Sequence, residues 1–211
     1  MNTILDTAII QFDKAIKTLL STSEKPDRVS PSDSIIEDVL LFSEKRQKSI
    51  ALMRVNHAGE VAAQGLYQGQ ALMAKSDSLR KELEQAAVEE TDHLRWCAQR
   101  IQELGGSTSK LNILWYAGAF TMGAITGKIG DKWSLGFVAE TESQVVKHLQ
   151  SHLKLIPEED KKSRAVITVM ISDETTHKHN AMMAGGCSLP PHVRFIMMCY
   201  GKVMTSLSYY Q

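Results

Sequence analysis

No Cys-x-x-Cys pair occurs in this sequence, and its three cysteines, Cys97, Cys187 and Cys199, are odd in number. That fits a reduced, cytosolic setting better than a disulfide framework. Five prolines are spread over 211 residues, and nowhere do apolar and polar residues alternate as along a half-buried strand. A sheet-based fold is therefore excluded. So is a built-in nicotinamide domain, because no strand-like run leads into Gly-x-Gly-x-x-Gly. Charge of one sign is lacking too: Lys plus Arg and Asp plus Glu are 24 each, which leaves no basic field for nucleic acid. The first twenty residues have no basic leading segment and carry Asp6 and Asp13 among apolar positions. They read as an amphipathic helix and not as a signal peptide.

What is present is helix former and apolar side chain. With 43 % hydrophobic residues the chain can bury one substantial core, most simply as a single all-α domain. The pattern predicts a first helix over about Thr3–Leu20, then a polar loop with Pro26 and Pro31. A leader over residues 1–43 would precede a bundle domain over 44–211. Bundle helix one should run from Glu44 to Ala74, and helix two from the Ser76-Asp77-Ser78 cap to Gly105-Gly106. Helix three is split in character, very apolar over Leu111–Ile129 and amphipathic over Trp133–Ile156. Pro157, Glu158, Glu159 and Asp160 should open helix four, which Gly185-Gly186 closes, and Pro190-Pro191 begins a last apolar helix.

Two copies of Glu-x-x-His stand out, Glu90-Thr-Asp-His93 and Glu174-Thr-Thr-His177, each centred in a helical stretch. A helix turns about 100° per residue, so Glu and His three apart share a face and can grip one metal ion. Isolated glutamates precede both: Glu60 lies 30 residues before Glu90, and Glu142 lies 32 before Glu174. Two helices giving Glu-x-x-His and two giving one Glu make the carboxylate box of ferritin-like di-iron four-helix bundles. Glu90, Glu142 and Glu174 each sit in an apolar stripe. For Glu142 it comprises Leu135, Val138, Ala139, Val145, Val146 and Leu149. A lone carboxylate there would cost several kcal/mol or take up a proton, and metal coordination removes that problem. Glu60 shares its face with Asn56, His57, Gln64 and Tyr67, which reads as semi-polar.

The same periodicity assigns the other acids. Glu140 projects with Trp133, Phe137 and Lys147, and Glu89 with Glu82, Gln85 and Asp92; both read as surface charge. Asp173, beside Glu174 and one turn before His177, is placed to orient a histidine ligand, and Asp92 is a second candidate. The two copies are an internal repeat, Glu89-Glu-Thr-Asp-His93 against Asp173-Glu-Thr-Thr-His177. Two helical hairpins with pseudo-two-fold symmetry about a dimetal centre follow.

Residues 111–127 carry no charge but include several Gly, Thr and Asn, unlike the ~20 strongly apolar residues of a membrane span. A segment lying in the membrane interface, or walling an apolar tunnel, fits better. Lys110, Lys128, Lys178, Arg194 and Lys202 lie in acid-free stretches beside it and in the last helix, as suits an anionic leaflet. The other reading is a buried helix and one that closes the bundle or a dimer. Gly65-Leu-Tyr-Gln-Gly69 and Gly123-Ala-Ile-Thr-Gly127 resemble close-packing motifs.

Arg54-Val-Asn-His-Ala-Gly-Glu60 with Tyr67-Gln-Gly-Gln70 resembles the corresponding segment of the demethoxyubiquinone hydroxylases. Glu90-x-Asp-His93-Leu94, Glu142-Ser143 with His148 following, and Glu174-x-x-His177 occur in that family's order. The resemblance runs from about Leu52 to the C-terminus, while the leader resembles that of the bacterial branch. The family often has adjacent acids at the third ligand, and this chain has Glu140-Thr-Glu142 instead; Thr-His-Lys-His after Glu174 leaves His179 as an extra.

What the resemblance implies is a ferritin-like monooxygenase of ubiquinone biosynthesis, peripheral on the cytoplasmic face of the cell membrane. It would hydroxylate the ring of a 2-polyprenyl-3-methyl-6-methoxy-1,4-benzoquinol. Carried over by position, Glu60, Glu90, His93, Glu142, Glu174 and His177 would hold two iron ions, with Glu90 and Glu174 bridging. O₂ would be co-substrate, and NADH or another reductant the electron donor. Tyr67 and His148 are candidate proton relays. The lipophilic quinol and the membrane surface are the implied partners, with a homo-oligomer or other ubiquinone-biosynthesis proteins beside them. Rival functions that keep the box are a ferritin-like iron-storage or peroxide-detoxifying protein and a nucleoside hydroxylase; a quinone-binding assembly protein with a vestigial site would lack ligands.

Overall fold

The structure, a computed structural model, describes residues 4–20, 28–36 and 43–211. Its helices are α1 (Ile4–Leu20), α2 (Ser43–Met73), α3 (Asp77–Glu103), α4 (Asn112–Ile129), α5 (Asp131–Leu155), α6 (Lys161–Met183) and α7 (Pro191–Tyr209). No strand occurs among the described residues. Parts of the predicted loop containing Pro26 lie outside them. The punctuation follows the residues. Ser76 caps α3 by accepting from the Leu79 amide at 3.2 Å, and Gly105 leaves that helix at φ 76°. Helix six starts later than the acidic cluster suggested: Asp160 is its cap, accepting from Ser163 N at 3.0 Å. Arg100 holds this buried Asp160 at 2.8 Å, so the carboxylate serves the interior as well as the helix end.

The split third helix is two helices. Gly130, at φ 150°, breaks the chain between α4 and α5. Asp131, just past the break, accepts from the amides of Lys75 and Ser76 at 3.0 and 3.2 Å, which ties this corner to the α2–α3 turn.

Four helices form the bundle: α2 pairs with α3, α5 pairs with α6, and α3 meets α6 across the middle. The core has two apolar layers. One gathers Tyr67, Ala71, Leu79, Leu83, Leu135 and Val138. The other gathers Met53, Trp96, Ile101, Leu149, Ile167 and Met170. On every bundle helix the acid of the metal box lies in sequence between its contributions to the two layers. A polar layer is thus enclosed by apolar ones.

The remaining helices are added on the outside. α4 packs along α2, α7 crosses α2 and α5, and α1 rests on α2 and α4. The α2–α4 contact is backbone on backbone: a Cβ on Gly69 would lie 2.2 Å from Phe120 O, and one on Gly123 2.2 Å from Leu66 O. The two glycine motifs therefore pack against each other. With neighbours on all sides, α2 is buried almost all round, from Ser49 to Ala71. The semi-polar face of Glu60 is therefore an inner one: Glu60 is 3 % exposed, and Asn56, His57 and Gln64 are buried with it.

Replacing Gly123 by Ala should destabilise the protein by about 1–3 kcal/mol, since the added methyl forces two backbones apart. Gly201→Ala, with nothing within 4 Å of the new Cβ, should stabilise α7 by about 0.5–1 kcal/mol. Denaturant midpoints of the two variants check this pair.

Candidate metal centre

Acids of three bundle helices, α2, α3 and α6, meet in the polar layer. Glu60 of α2, Glu90 and His93 of α3 and Glu174 of α6 each bring a donor atom within 4.8 Å of one another. His93 Nδ1 lies 3.1 Å from Glu90 Oε2, 3.0 Å from Glu174 Oε1 and 3.8 Å from Glu60 Oε2. His177 Nδ1 lies 3.0 Å from Glu90 Oε1 and 3.1 Å from Glu174 Oε2. Glu90 and Glu174 thus stand between the two imidazoles, one oxygen toward each. Glu142 is buried on the α5 side and accepts from Tyr67 Oη at 2.7 Å.

Each imidazole is held from behind by an acid of the opposite helix. His93 Nε2 meets Asp173 Oδ2 at 2.9 Å, and His177 Nε2 meets Glu89 Oε2 at 2.9 Å. Asp173 therefore does brace a histidine, though the one across the bundle and not its own helix neighbour. Glu89 is no idle surface charge, which corrects the periodicity reading. One position before the inward Glu, a residue is turned about 100° away, toward the adjoining helix. The repeat held the signal, since an acid precedes the Glu of both Glu-x-x-His copies. Such outer partners fix the tautomer and leave Nδ1 free to ligate.

Other candidates fall outside this arrangement. Asp92 bonds Arg28 Nε at 3.0 Å. Glu140 pairs with Arg194 at 2.8 Å on the outer side of α5, as expected of it. His179 is exposed. His148 is not brought to the box: its ring lies 3.9 Å from that of His152, whose Nδ1 meets Asn56 Oδ1 at 2.7 Å. Six residues after Glu142, its direction is well off the ligand face. Arg28 carried no signal in the sequence, because only the fold brings a loop residue to this place.

The donors fit a dimetal centre. Four buried carboxylates and two imidazoles are a hard oxygen and nitrogen set suited to divalent iron. Glu90 Oε1 and Glu174 Oε1 are buried without a hydrogen bond, although an imidazole nitrogen lies 3.0 Å from each. Without metal, protons take the cations' place. Burial, followed by the Glu90 and Glu174 charges, raises Glu60 well above the usual carboxyl range. Burial raises Glu142 likewise, with the Glu174 and Glu90 charges adding to it. Burial alone would lower His93 and His177, but the facing carboxylates outweigh it; His177 is pushed up to about 12. Burial works to raise Glu90 too, yet the facing His177 and His93 imidazoles hold it low. Four carboxylates against two divalent ions are neutral, so loading would displace one proton from each of Glu60, Glu142, His93 and His177.

Comparison with known proteins agrees with this geometry. Residues 47–208 match the family described as ubiquinone biosynthesis protein COQ7. The chain belongs to that family. A relative named 3-demethoxyubiquinol 3-hydroxylase from Nitrosococcus oceani is 51 % identical over 206 residues, covering 98 % of this chain and 96 % of its own. Relatives with the same name are 50 % identical in Nitrosomonas europaea (98 % of each chain) and 48 % identical in an Azoarcus species (98 % and 99 %). Among solved structures, a dodecameric thioferritin, the bacterioferritin-related protein of Bacteroides fragilis, superposes with TM-score 0.55 at 18 % identity. It covers 65 % of this chain and 83 % of its own, and that likeness bears on the ferritin-like fold alone.

For this COQ7-family chain, metal-free and metal-loaded forms should respond to pH in opposite directions. Metal-free, the raised groups bind more protons folded than unfolded, so stability falls as pH rises. The histidine contribution is complete below the unfolded value of 6.5 and declines above it. The two raised carboxyls act in the same sense from 4.5 upward. Glu90, held low, matters only on the acid side of that window. With metal in place of protons the slope reverses, because loading releases protons. Urea midpoints at about pH 6 and 8.5, with and without Fe(II), read both slopes.

Proposed function

We propose that this chain is a di-iron monooxygenase that hydroxylates the ring of a polyprenylated 3-methyl-6-methoxy-benzoquinol, the 3-demethoxyubiquinol step of ubiquinone synthesis. The observation that carries this is the pair of imidazoles sharing Glu90 and Glu174, in a chain matched along 98 % of its length by relatives bearing that activity's name. Glu60, Glu90, His93, Glu142, Glu174 and His177 would hold the two ions. When bound, such a pair supplies the two electrons that let O₂ be split, one atom entering the ring and the other leaving as water. NADH or another reductant would restore those electrons from outside.

The chain's own residues prepare the site. Glu89 and Asp173 hold the imidazoles with Nδ1 inward. Tyr67, raised by burial and then by the Glu142 charge, keeps its proton and donates it to Glu142 Oε1, which fixes the direction of that carboxylate. Tyr67 would serve there as a proton relay. The apolar layers above and below exclude water from the intervening space.

Delivery of a lipophilic quinol belongs to the added helices. α4 lies between α1 and α7: Tyr116 and Phe120 pack on Ala15 and Leu19, and Trp115 meets Tyr200 edge-on at 6.4 Å. On their outer sides these helices expose Leu5, Ile9, Phe12 and Ile16; Ile113, Leu114, Ile125 and Ile129; and Phe195, Ile196, Val203 and Leu207. No described helix is long and apolar enough to cross a membrane. These faces support a peripheral contact with the cytoplasmic leaflet, the tail lying along α4 and α7. An iron-storage role would use the same box but leave those faces without a purpose.

Glu90→Ala or Glu174→Ala should abolish iron uptake and leave hydroxylation of the demethoxy quinol undetectable. Cells lacking the chain should accumulate that intermediate, as quinone profiling would show. Conversion by wild-type protein free of iron would overturn the assignment. Flotation with anionic vesicles should carry the protein upward, and Ile9→Glu with Phe12→Glu should reduce the floated fraction.

A further inference from the structure

The two halves of the box are braced alike by Asp173 and Glu89, but the two braces are themselves held differently. Arg28, on the leader segment outside the bundle, places Nη1 2.8 Å from Asp173 Oδ2 and Nε 3.0 Å from Asp92 Oδ2. Its Nη2 lies 3.4 Å from His93 Nε2, and its guanidinium covers Trp96 at 4.8 Å from the ring centre. The Trp96 indole donates to Arg28 O at 3.3 Å, and Gln99 donates to Asp33 at 2.9 Å, so residues 28–36 lie along α3. Asp173 Oδ2 is thus shared by a fixed cation and by the His93 Nε2 proton. The counterpart differs. Glu89 is 44 % exposed, and among the described residues its second oxygen meets Gln85, at 3.2 Å. His93 is wholly covered, whereas 9 % of the His177 side chain is open.

Building on the metal-centre reading above, we propose that Arg28 is a positioning residue for His93, acting through Asp173, and that this strap makes the two metal positions inequivalent. The guanidinium spans two carboxylates at once, which a point charge cannot reproduce. It keeps Asp173 from turning away, and with it the imidazole whose Nδ1 faces Glu90 and Glu174. The His93 position is accordingly rigid and dry, and the His177 position is looser and nearer to water.

Anaerobic titration of the full chain with Co(II), followed by its visible absorption, tests this without recourse to activity. Wild-type protein should show two classes of site with unequal affinity. Arg28→Gln should weaken the tighter class about tenfold or more and shift its spectrum, as loss of an outer partner does, and leave the other class unchanged. Arg28→Lys should recover part of the loss, and Glu89→Gln should weaken the other class instead. Wild-type affinities in folded Arg28→Gln would overturn the strap. So would an equal loss at both sites that follows a lowered melting temperature of the metal-free chain. If Arg28→Gln does not fold, Arg28→Lys decides: affinities like wild type overturn the proposal, and selective weakening of the tighter class supports it. A wild-type chain that takes up no cobalt would remove the metal centre itself, and the strap with it.

Discussion

Four carboxylates buried at one level of a helical bundle are the constraint on which the rest depends. Each alone would cost several kcal/mol to hold ionised in an apolar core. Together they tolerate burial only because every charge has a compensating partner within reach, whether an imidazole, a proton or a metal ion. The bundle meets this demand by stacking. Apolar layers at either end supply the burial that holds the helices together, and the polar layer between them sits at a fixed depth. Shifting any one helix by a turn would put a carboxylate against Met170 or Leu135 with no partner, so the charges fix the register that the apolar layers alone would leave loose.

The same layer is the joint between the two hairpins. Where α3 meets α6, the contacts that cross at this level include Glu90 with His177, Glu174 with His93, and the two outer braces from Glu89 and Asp173. A site built at a joint couples metal occupancy to the docking of one hairpin on the other. It also explains why the repeat keeps an acid before each inward Glu: pseudo-two-fold symmetry requires each hairpin to brace the histidine of the other. Among the described residues the leader breaks that symmetry from outside, adding the Arg28 cation to the Asp173 brace.

Most of the helices could be read from the chain because their punctuation is local. Ser76, Gly105 and Gly185 act on the residues next to them, and those boundaries followed, whereas the break at Gly130 and the later start of α6 did not. The two Glu-x-x-His pairs were legible for a similar reason, since spacing of three along a helix fixes a shared face wherever the helix goes. Glu60 gave a weaker signal, because its face mixes polar and apolar residues. A helix with neighbours on every side has no wet face, so its polar residues turn to one another instead. Glu89 and Arg28 were missed because their partners are on other elements: periodicity sorts residues by direction from one axis, and does not say which helix stands there. His148 shows the converse, a residue whose place in the family order did not bring it to the ligands.

That crowded position of α2 links chemistry to delivery. One side of the helix carries Glu60 and Tyr67 into the box, while Gly65 and Gly69 admit the backbone of α4 to contact. Between them runs a buried chain of amides and hydroxyls: Tyr116 Oη donates to Gln68 Oε1 at 2.6 Å, Gln68 to Gln64 at 2.9 Å, and Gln64 to Thr91 Oγ1 at 2.9 Å. Thr91 follows Glu90 directly. Hydrogen bonds are directional, and buried ones left unmade cost more than made ones contribute. The chain therefore sets the rotation of α4 relative to α3 more sharply than apolar packing would. An apolar helix that slid or turned on α2 would break this ladder before it disturbed a single metal ligand, so the face offered to the lipid phase and the depth of the box beneath it are held in one frame.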